Sequence, residues 1–175
     1  MKNTIARLLF ILLISNISAQ HHYNYLTAEI DGLTCSACMN SVVKRMSLVK
    51  NVDSIYSDIQ NTSCTIFIHG SECPDFKLIA QEVKNAGFSL HSLCWRLTLD
   101  SQLVCANQSW PCLSINSRQY HIVNYPLNWQ PEGYSFILLG RNYQNKKIYQ
   151  QYKELVAKNK TVRCSLNADL LLQKR

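Results

Sequence analysis

The sequence predicts an α+β protein in which a β-α-β-β-α-β unit is followed by a small, mainly β unit with one helix. Within residues 25–93, alternating apolar runs flank two stretches in which apolar residues recur every three or four positions. Residues 94–175 carry several short alternating runs but only one stretch of helical spacing. The composition, with 47% hydrophobic and 17% charged residues, is that of a folded chain.

The first 19 residues have the pattern of a secretory signal peptide. Lys2 and Arg7 give a positive start, residues 8–14 an apolar core, and residues 17–19 a small-residue exit. We expect cleavage near Ala19, which makes the protein periplasmic or secreted and leaves a polar tail at residues 20–24. The apolar run is shorter than the ~20 residues that a membrane helix needs, and we expect no transmembrane segment in the mature chain.

The first strand and the first helix meet at a pair of cysteines. Residues 25–33 alternate as a half-buried strand does, and Gly32 allows the chain to turn. From Cys38 to Val49, apolar residues recur at steps of four, four and three. This spacing predicts an amphipathic helix that ends near Asn51.

The remaining elements of the first unit follow in order. Residues 52–59 predict a second strand, and the strict alternation of residues 64–69 predicts a third. Pro74 opens a second helix, which residues 85–87 close. Residues 88–99 form a last apolar strand. The order is ferredoxin-like, a four-stranded antiparallel sheet with both helices on one face.

With this order of elements, residues 25–93 resemble the heavy-metal-associated domain. This module occurs in copper chaperones, in the N-terminal domains of metal pumps and in the periplasmic mercuric-ion-binding protein. The loop GLTCSAC at residues 32–38 matches the family's Gly-Met-Thr-Cys-x-x-Cys. The later landmarks that match, in chain order, are Val42, Met46, Val52, Ile55, Ala86, Gly87 and Phe88.

Three positions depart from the family pattern. Leu33 replaces the usual Met, a residue that packs beneath the loop, and the exchange roughly conserves volume. Asn51 stands where the family often has Gly, and Cys64 takes the place of a small apolar residue. None of the three removes a metal ligand of the family.

Cys35 and Cys38 are the predicted metal ligands. Cys38 falls in the first turn of the helix, where free N–H groups favour a thiolate, and Cys35 lies in the preceding loop. Two thiolates with few other donors suit a soft ion in low coordination, Cu(I) first and Hg(II) next. Zn(II) is less favoured because structural zinc takes four protein ligands, and no second CxxC supplies them.

The resemblance implies an exported, non-enzymatic protein that transfers, sequesters or detoxifies metal. It also implies a metal-donor or metal-acceptor partner, such as a membrane metal pump. Three alternatives stay open: a structural disulfide between Cys35 and Cys38, a thiol-disulfide oxidoreductase, and a docking module that binds no metal.

Secondary candidates surround this pair. Phe88 resembles the family's aromatic residue near the metal loop, where it would shield the site; core packing explains it equally well. His22, third in the cleaved chain, could complete an N-terminal Cu(II) site, although a solvated histidine is the simpler interpretation. Cys64 is expected to be a buried small hydrophobe, and His69 and His91 to be solvated.

All eight cysteines follow the signal peptide, which favours disulfides in an oxidising compartment. Cys105 and Cys112 flank a short loop that a disulfide could close, which would contribute ~2–3 kcal/mol. Cys94 and Cys164 are a further candidate pair. The moderately basic charge comes without runs of Lys and Arg interleaved with aromatics, so we expect no nucleic-acid partner.

Residues 94–175 predict a small mainly β domain, for which an OB-like barrel is one candidate. We expect a hairpin around residues 100–101, strands at residues 120–125, 134–139 and 161–166, and a helix at residues 146–159. No Ser-His-Asp set, nucleotide loop or paired carboxylates support enzyme activity here.

Overall fold

The computed structural model describes residues 24–69, 73–97, 104–105, 112–115, 118–123, 134–159 and 169–173. In chain order the elements are β1 (Asn24–Asp31), α1 (Ser36–Met46), β2 (Val52–Asp58), β3 (Ser63–Ile68), α2 (Phe76–Asn85), β4 (Ser89–Leu97), β5 (Val104–Cys105), β6 (Cys112–Ile115), β7 (Arg118–Val123), β8 (Tyr134–Leu139), α3 (Lys146–Asn159) and β9 (Asp169–Gln173). None of the described helices is long and apolar enough to span a membrane.

The first four strands confirm the ferredoxin-like prediction. Their order in the sheet is β2-β3-β1-β4, and all three pairings are antiparallel. In β1 the buried side chains alternate with partly exposed ones, so that one face of the strand enters the core. Helices α1 and α2 pack against each other and supply the facing apolar side chains, which are Met39, Val42, Met46, Phe76, Ile79 and Val83.

Asn51 shows how the chain accommodates one departure from the family pattern. Its φ of 70° lies in the left-handed region, where glycine is favoured and asparagine is tolerated better than most residues. Its carbonyl oxygen accepts a hydrogen bond from the backbone N–H of His69 at 2.9 Å. The turn between α1 and β2 therefore keeps the backbone conformation that a glycine would give.

The second half of the chain continues the same sheet. β8 pairs antiparallel with β4, and the described strands run in the order β2-β3-β1-β4-β8-β9-β7-β6-β5. Of the described pairings, only that of β7 with β9 is parallel. The predicted boundary between residues 93 and 94 falls inside β4, whose residues Cys94–Leu97 pair with β1 on one side and β8 on the other.

Some of the elements predicted for this half are confirmed, and others are not. β8 and α3 begin and end at the predicted residues. The predicted hairpin between the end of β4 and β5 is wrong, because β5 pairs with β6 at the far edge of the sheet. An OB-like barrel is not confirmed, since β2 and β5 are the two edges of one open sheet of described strands. The predicted strand at residues 161–166 lies outside the described residues.

Buried aromatic side chains join the two halves. The ring of Trp95 lies 5.2 Å from Phe76 and 5.1 Å from Tyr120, centroid to centroid. Phe76 and Tyr120 are 5.9 Å apart, and all three rings are buried. Trp95 also donates its indole N–H to Asn24 at 2.9 Å. The core is therefore continuous from α2 through β4 to β7.

Candidate metal centre

The loop before α1 is anchored by one buried side chain and left free at its tip. Leu33 is buried beneath the loop, as predicted, while Cys35 is exposed and Cys38 partly buried. Gly32 has a φ of 82°, a conformation that side chains rarely adopt, and it turns the chain out of β1. The result is an exposed cysteine loop on a fixed base.

Cys35 is the N-cap of α1. Its backbone is extended (φ −139°, ψ 152°), its Sγ accepts a hydrogen bond from the Cys38 N–H at 3.1 Å, and its carbonyl oxygen accepts one from the Met39 N–H at 3.0 Å. A side chain that accepts from the third helical residue satisfies one of the donors left free at a helix start. The Cys35 sulfur thus lies at the positive end of the helix dipole, and the first turn holds no acidic residue that would offset this field.

The structure shows the two cysteines in their oxidised form. Cys35 and Cys38 are joined by a disulfide, with their Cα atoms 5.2 Å apart. The two sulfur atoms are therefore bonded to each other at the start of α1, and the disulfide must be reduced before both can act as ligands. The assignment of Cys35 and Cys38 as metal ligands stays a prediction.

In the part of the chain that the structure describes, the pair has no third ligand beside it. Among the described residues, no group of three or more His, Cys, Asp or Glu side chains could hold one ion. Two sulfur donors match the low coordination of Cu(I) or Hg(II), and they fall short of the four ligands of structural zinc. The donor set fits the soft ions that the sequence predicts.

A second sulfur contact lies beneath the loop. Cys64 is fully buried in β3, and its Sγ lies 3.4 Å from Sδ of Met39. Burial raises the pKa of the Cys64 thiol to about 11. Cys64 therefore stays protonated near neutral pH and packs as a small hydrophobe, in agreement with the prediction.

Phe88 follows α2 and is partly buried against the core. Its N–H donates to the Val83 carbonyl oxygen at 3.2 Å, and together with Gly32 it lines a cleft beside the cysteine loop. Its role in shielding the cysteine pair stays a prediction. His22 lies outside the described residues.

The two candidate disulfides of the second half lie partly outside the described residues. Cys105 and Cys112 are directly opposite each other in the β5–β6 register, the backbone arrangement that a disulfide across the loop requires. Their side chains are outside the described part of the chain. Cys94 is partly buried in β4, and Cys164 is outside the described residues.

His91 was expected to be solvated; its side chain is 42% exposed, and it also takes part in a hydrogen-bond network. Its Nδ1 lies 2.8 Å from Oδ1 of Asp31 and 2.8 Å from Nδ2 of Asn145, while its carbonyl oxygen accepts from the Asn145 N–H at 3.0 Å. The partners are 60 and 54 residues away. A single sequence holds no local signal for such a network, because only the pairing of β1 with β4 and the position of α3 create it.

The basic residues of α1 lie at the end of the helix away from the cysteines. Lys44 and Arg45 are in the last turn, ~12 Å along the axis from the first turn at 1.5 Å per residue. Arg45 is within 3.7 Å of Glu82 on α2. Lys44 and Arg45 therefore lie at the opposite end of α1 from the cysteine pair.

Comparison with solved structures returns small copper-related domains. A copper-binding domain from HMA7, a P-type ATPase, is 22% identical, with a TM-score of 0.35, and the match covers 39% of this chain and 90% of that chain. The yeast copper transporter domain Ccc2A, solved in apo and Cu(I)-loaded states, is 21% identical, with a TM-score of 0.34, covering 38% of this chain and 90% of that one.

A third structure comes from work on crosstalk between Cu(I) and Zn(II) homeostasis. It is 19% identical, with a TM-score of 0.34, and the match covers 38% of this chain and 94% of that chain. No protein-family model matches the chain. No curated protein matches it in sequence.

Proposed function

We propose that this protein binds one soft metal ion, Cu(I) in first place, between the reduced thiolates of Cys35 and Cys38. The observation that carries the proposal is the meeting of two cysteine sulfurs at the exposed start of α1, with no third ligand among the described residues. A two-sulfur site holds a soft ion while leaving its coordination open to the thiols of another protein. Transfer to or from a partner, such as a membrane metal pump, is the use that follows.

The proposed setting is the periplasm or the cell exterior, after removal of the signal peptide at residues 1–19. An oxidising compartment favours the disulfide that the structure shows. A reductant or an incoming metal-loaded thiol partner is then needed to open the pair. Mercuric-ion scavenging is the alternative with the same ligands.

The direct test is titration of the reduced protein with Cu(I) in competition with a chromophoric chelator. We expect one tightly bound Cu(I) per chain, lost in Cys35→Ser and in Cys38→Ser. Cys64→Ser is the matched control, because it removes a sulfur that is buried and protonated. Unchanged binding in the double variant Cys35→Ser/Cys38→Ser would overturn the proposal.

Parallel titrations with Hg(II) and Zn(II) rank the ions. We expect both soft ions to displace Zn(II), because two thiolates do not complete a zinc shell. A Zn(II) affinity equal to that for Cu(I) would indicate further ligands, outside the pair.

A second candidate, thiol-disulfide exchange, is favoured by the disulfide itself. An exposed Cys-x-x-Cys disulfide at a helix start is the arrangement that such oxidoreductases use. Catalysed reduction of insulin by the dithiol form, combined with weak Cu(I) binding, would favour this candidate. The β-α-β-β-α-β order around the pair is the order of the metal-binding resemblance and not of a thioredoxin-like fold.

A further inference from the structure

The turn between β8 and α3 holds a buried side-chain amide, that of Gln144. Gln144 is only 5% exposed, and neither its Nε2 nor its Oε1 finds a partner among the described residues. Buried amides are nearly always satisfied, since an unpaired one loses its bonds to water without replacement. The amide of Gln144 is therefore available to pair with a bound polar group.

Gln144 forms part of the wall between two adjoining cavities. The larger one, about 850 Å³, lies between α2, the start of β4 and the β8–α3 turn. The smaller one, about 380 Å³, lies along the first turns of α3. Arg141, Gln144 and Lys146 line both cavities. We call the two together the Gln144 cleft.

The Gln144 cleft is strongly cationic. Lys77 and Lys84 of α2 line the larger cavity opposite Arg141 and Lys146, and all four side chains are exposed. Asp31 is the one carboxylate among the described lining residues, and it lies 2.8 Å from His91. Four cations against one paired carboxylate make the cleft attractive to an anion.

The start of α3 adds to this field. The first turn of α3 contains no acidic residue and begins with Lys146 and Lys147. Lysines at a helix N-terminus stand in the positive end of the dipole, an unfavourable placement that a bound anion would offset. The turn is also held in place, because Asn145 bonds to His91 through both its backbone N–H and its side chain.

We propose that the Gln144 cleft binds a small anionic molecule that carries phosphate or carboxylate groups next to a hydroxyl or amide. The cations and the helix start take the charged oxygens. The Gln144 amide pairs with the neutral polar group, since it can donate through Nε2 and accept through Oε1. A volume of about 850 Å³ is far larger than a bare inorganic ion needs, and it matches that of ordinary small-molecule sites.

The test is calorimetric titration of the purified full-length protein at low ionic strength. The probes are inorganic phosphate, glycerol 3-phosphate and citrate, which separate phosphate from carboxylate recognition and bare from hydroxyl-bearing anions. We expect saturable 1:1 binding of glycerol 3-phosphate or citrate that is at least tenfold tighter than that of inorganic phosphate. Absence of saturable binding by all three probes would overturn the proposal.

Two pairs of variants locate the binding. Lys146→Gln should weaken binding at least fivefold, whereas Lys147→Gln, the same charge change in the same turn outside the described cavity lining, should change it less than twofold. Equal effects of the two would show attraction to net charge only and contradict the site.

Gln144→Leu should weaken binding at least tenfold without lowering the melting temperature of the free protein. An apolar side chain replaces an amide that bonds to none of the described residues, so the variant is expected to fold. A lower melting temperature with unchanged binding would make Gln144 structural. Cys35→Ser/Cys38→Ser should bind the probe normally, which keeps this test independent of metal binding.

Discussion

Oδ1 of Asp31 lies 2.8 Å from Nδ1 of His91, at the point where β1 ends and the cysteine loop begins. Asn145 approaches the same nitrogen to 2.8 Å and accepts a hydrogen bond from the Ile148 N–H at 2.9 Å, so it also caps α3. The base of the candidate metal loop is thus tied to a helix from the other half of the chain. Asn145 therefore contacts both the start of α3 and the strand beside the loop.

The first prediction follows from this double role. Asn145→Ala removes the side-chain cap of α3 and the contact with His91. We expect the free energy of unfolding to fall by ~0.5–2 kcal/mol, the usual range for a lost N-cap. Urea denaturation measures it. Asn142→Ala, an exposed substitution in the same turn, is the control, and an equal loss in the two variants would contradict the capping role.

Local patterns were sufficient for the ferredoxin-like half and for single elements of the rest. The Cys35–Cys38 spacing at a strand-to-helix junction, and the helical stripe of residues 146–159, are signals carried by neighbouring residues. The pairing of β4 with β8 joins segments about 40 residues apart along the chain, and no short-range pattern encodes it. The Asp31–His91–Asn145 network depends on that pairing, so it could not be predicted from the sequence for the same reason.

The second prediction separates the two roles of Cys35. Its sulfur is both the N-cap of α1 and a candidate metal ligand. Under reducing conditions, Cys35→Ser should keep the stability of the dithiol protein, because a serine oxygen caps at least as well. Cys35→Ala should lose ~0.5–2 kcal/mol in urea denaturation.

Neither Cys35 variant should bind Cu(I) tightly in the chelator competition. The comparison must be made on reduced protein, because both substitutions also remove the disulfide. Equal stability of Cys35→Ala and the reduced native protein would show that the sulfur hydrogen bond to Cys38 contributes nothing.

The third prediction concerns Cys64 and alkaline pH. Burial raises the pKa of its thiol from 9.0 to about 11. The unfolded chain therefore releases this proton first as the pH rises. The contribution of the thiol to stability is complete below pH 9 and declines as the pH rises toward about 11.

The check is urea denaturation of reduced protein at several values between pH 8.5 and pH 11, for the native sequence and for Cys64→Ala. Other groups titrate in both proteins. The difference between the two slopes of unfolding free energy against pH therefore isolates Cys64. We expect the native sequence to lose stability more steeply. In peptide mapping at pH 8, iodoacetamide should modify Cys35 and Cys38 and spare Cys64. Rapid alkylation of Cys64 in the folded protein would contradict its burial.

The last prediction tests whether the two halves form one cooperative core. Trp95 is 1% exposed and packs between Phe76 of α2 and Tyr120 of β7. A chain that ends after Leu97 keeps β1–β4 and both helices of the ferredoxin-like half, but it loses Tyr120 and uncovers the edge of β4 that pairs with β8. Uncovering one large aromatic side chain alone costs ~1.5–3 kcal/mol. We therefore expect the truncated chain to be less stable by at least ~2 kcal/mol and its Trp95 fluorescence to shift to the red.

The matched reference is the full chain with Trp110→Phe and Trp129→Phe, which leaves Trp95 as its sole tryptophan; excitation at about 295 nm avoids the tyrosines. In that protein, fluorescence and far-UV circular dichroism should report the same urea midpoint, because a continuous core unfolds as a unit. Equal stability and equal Trp95 emission in the two proteins would show that β1–β4 fold without help from the second half. The Cu(I) affinity of the truncated chain should be unchanged, because every candidate ligand precedes residue 39. We therefore expect a loss of stability together with full Cu(I) binding.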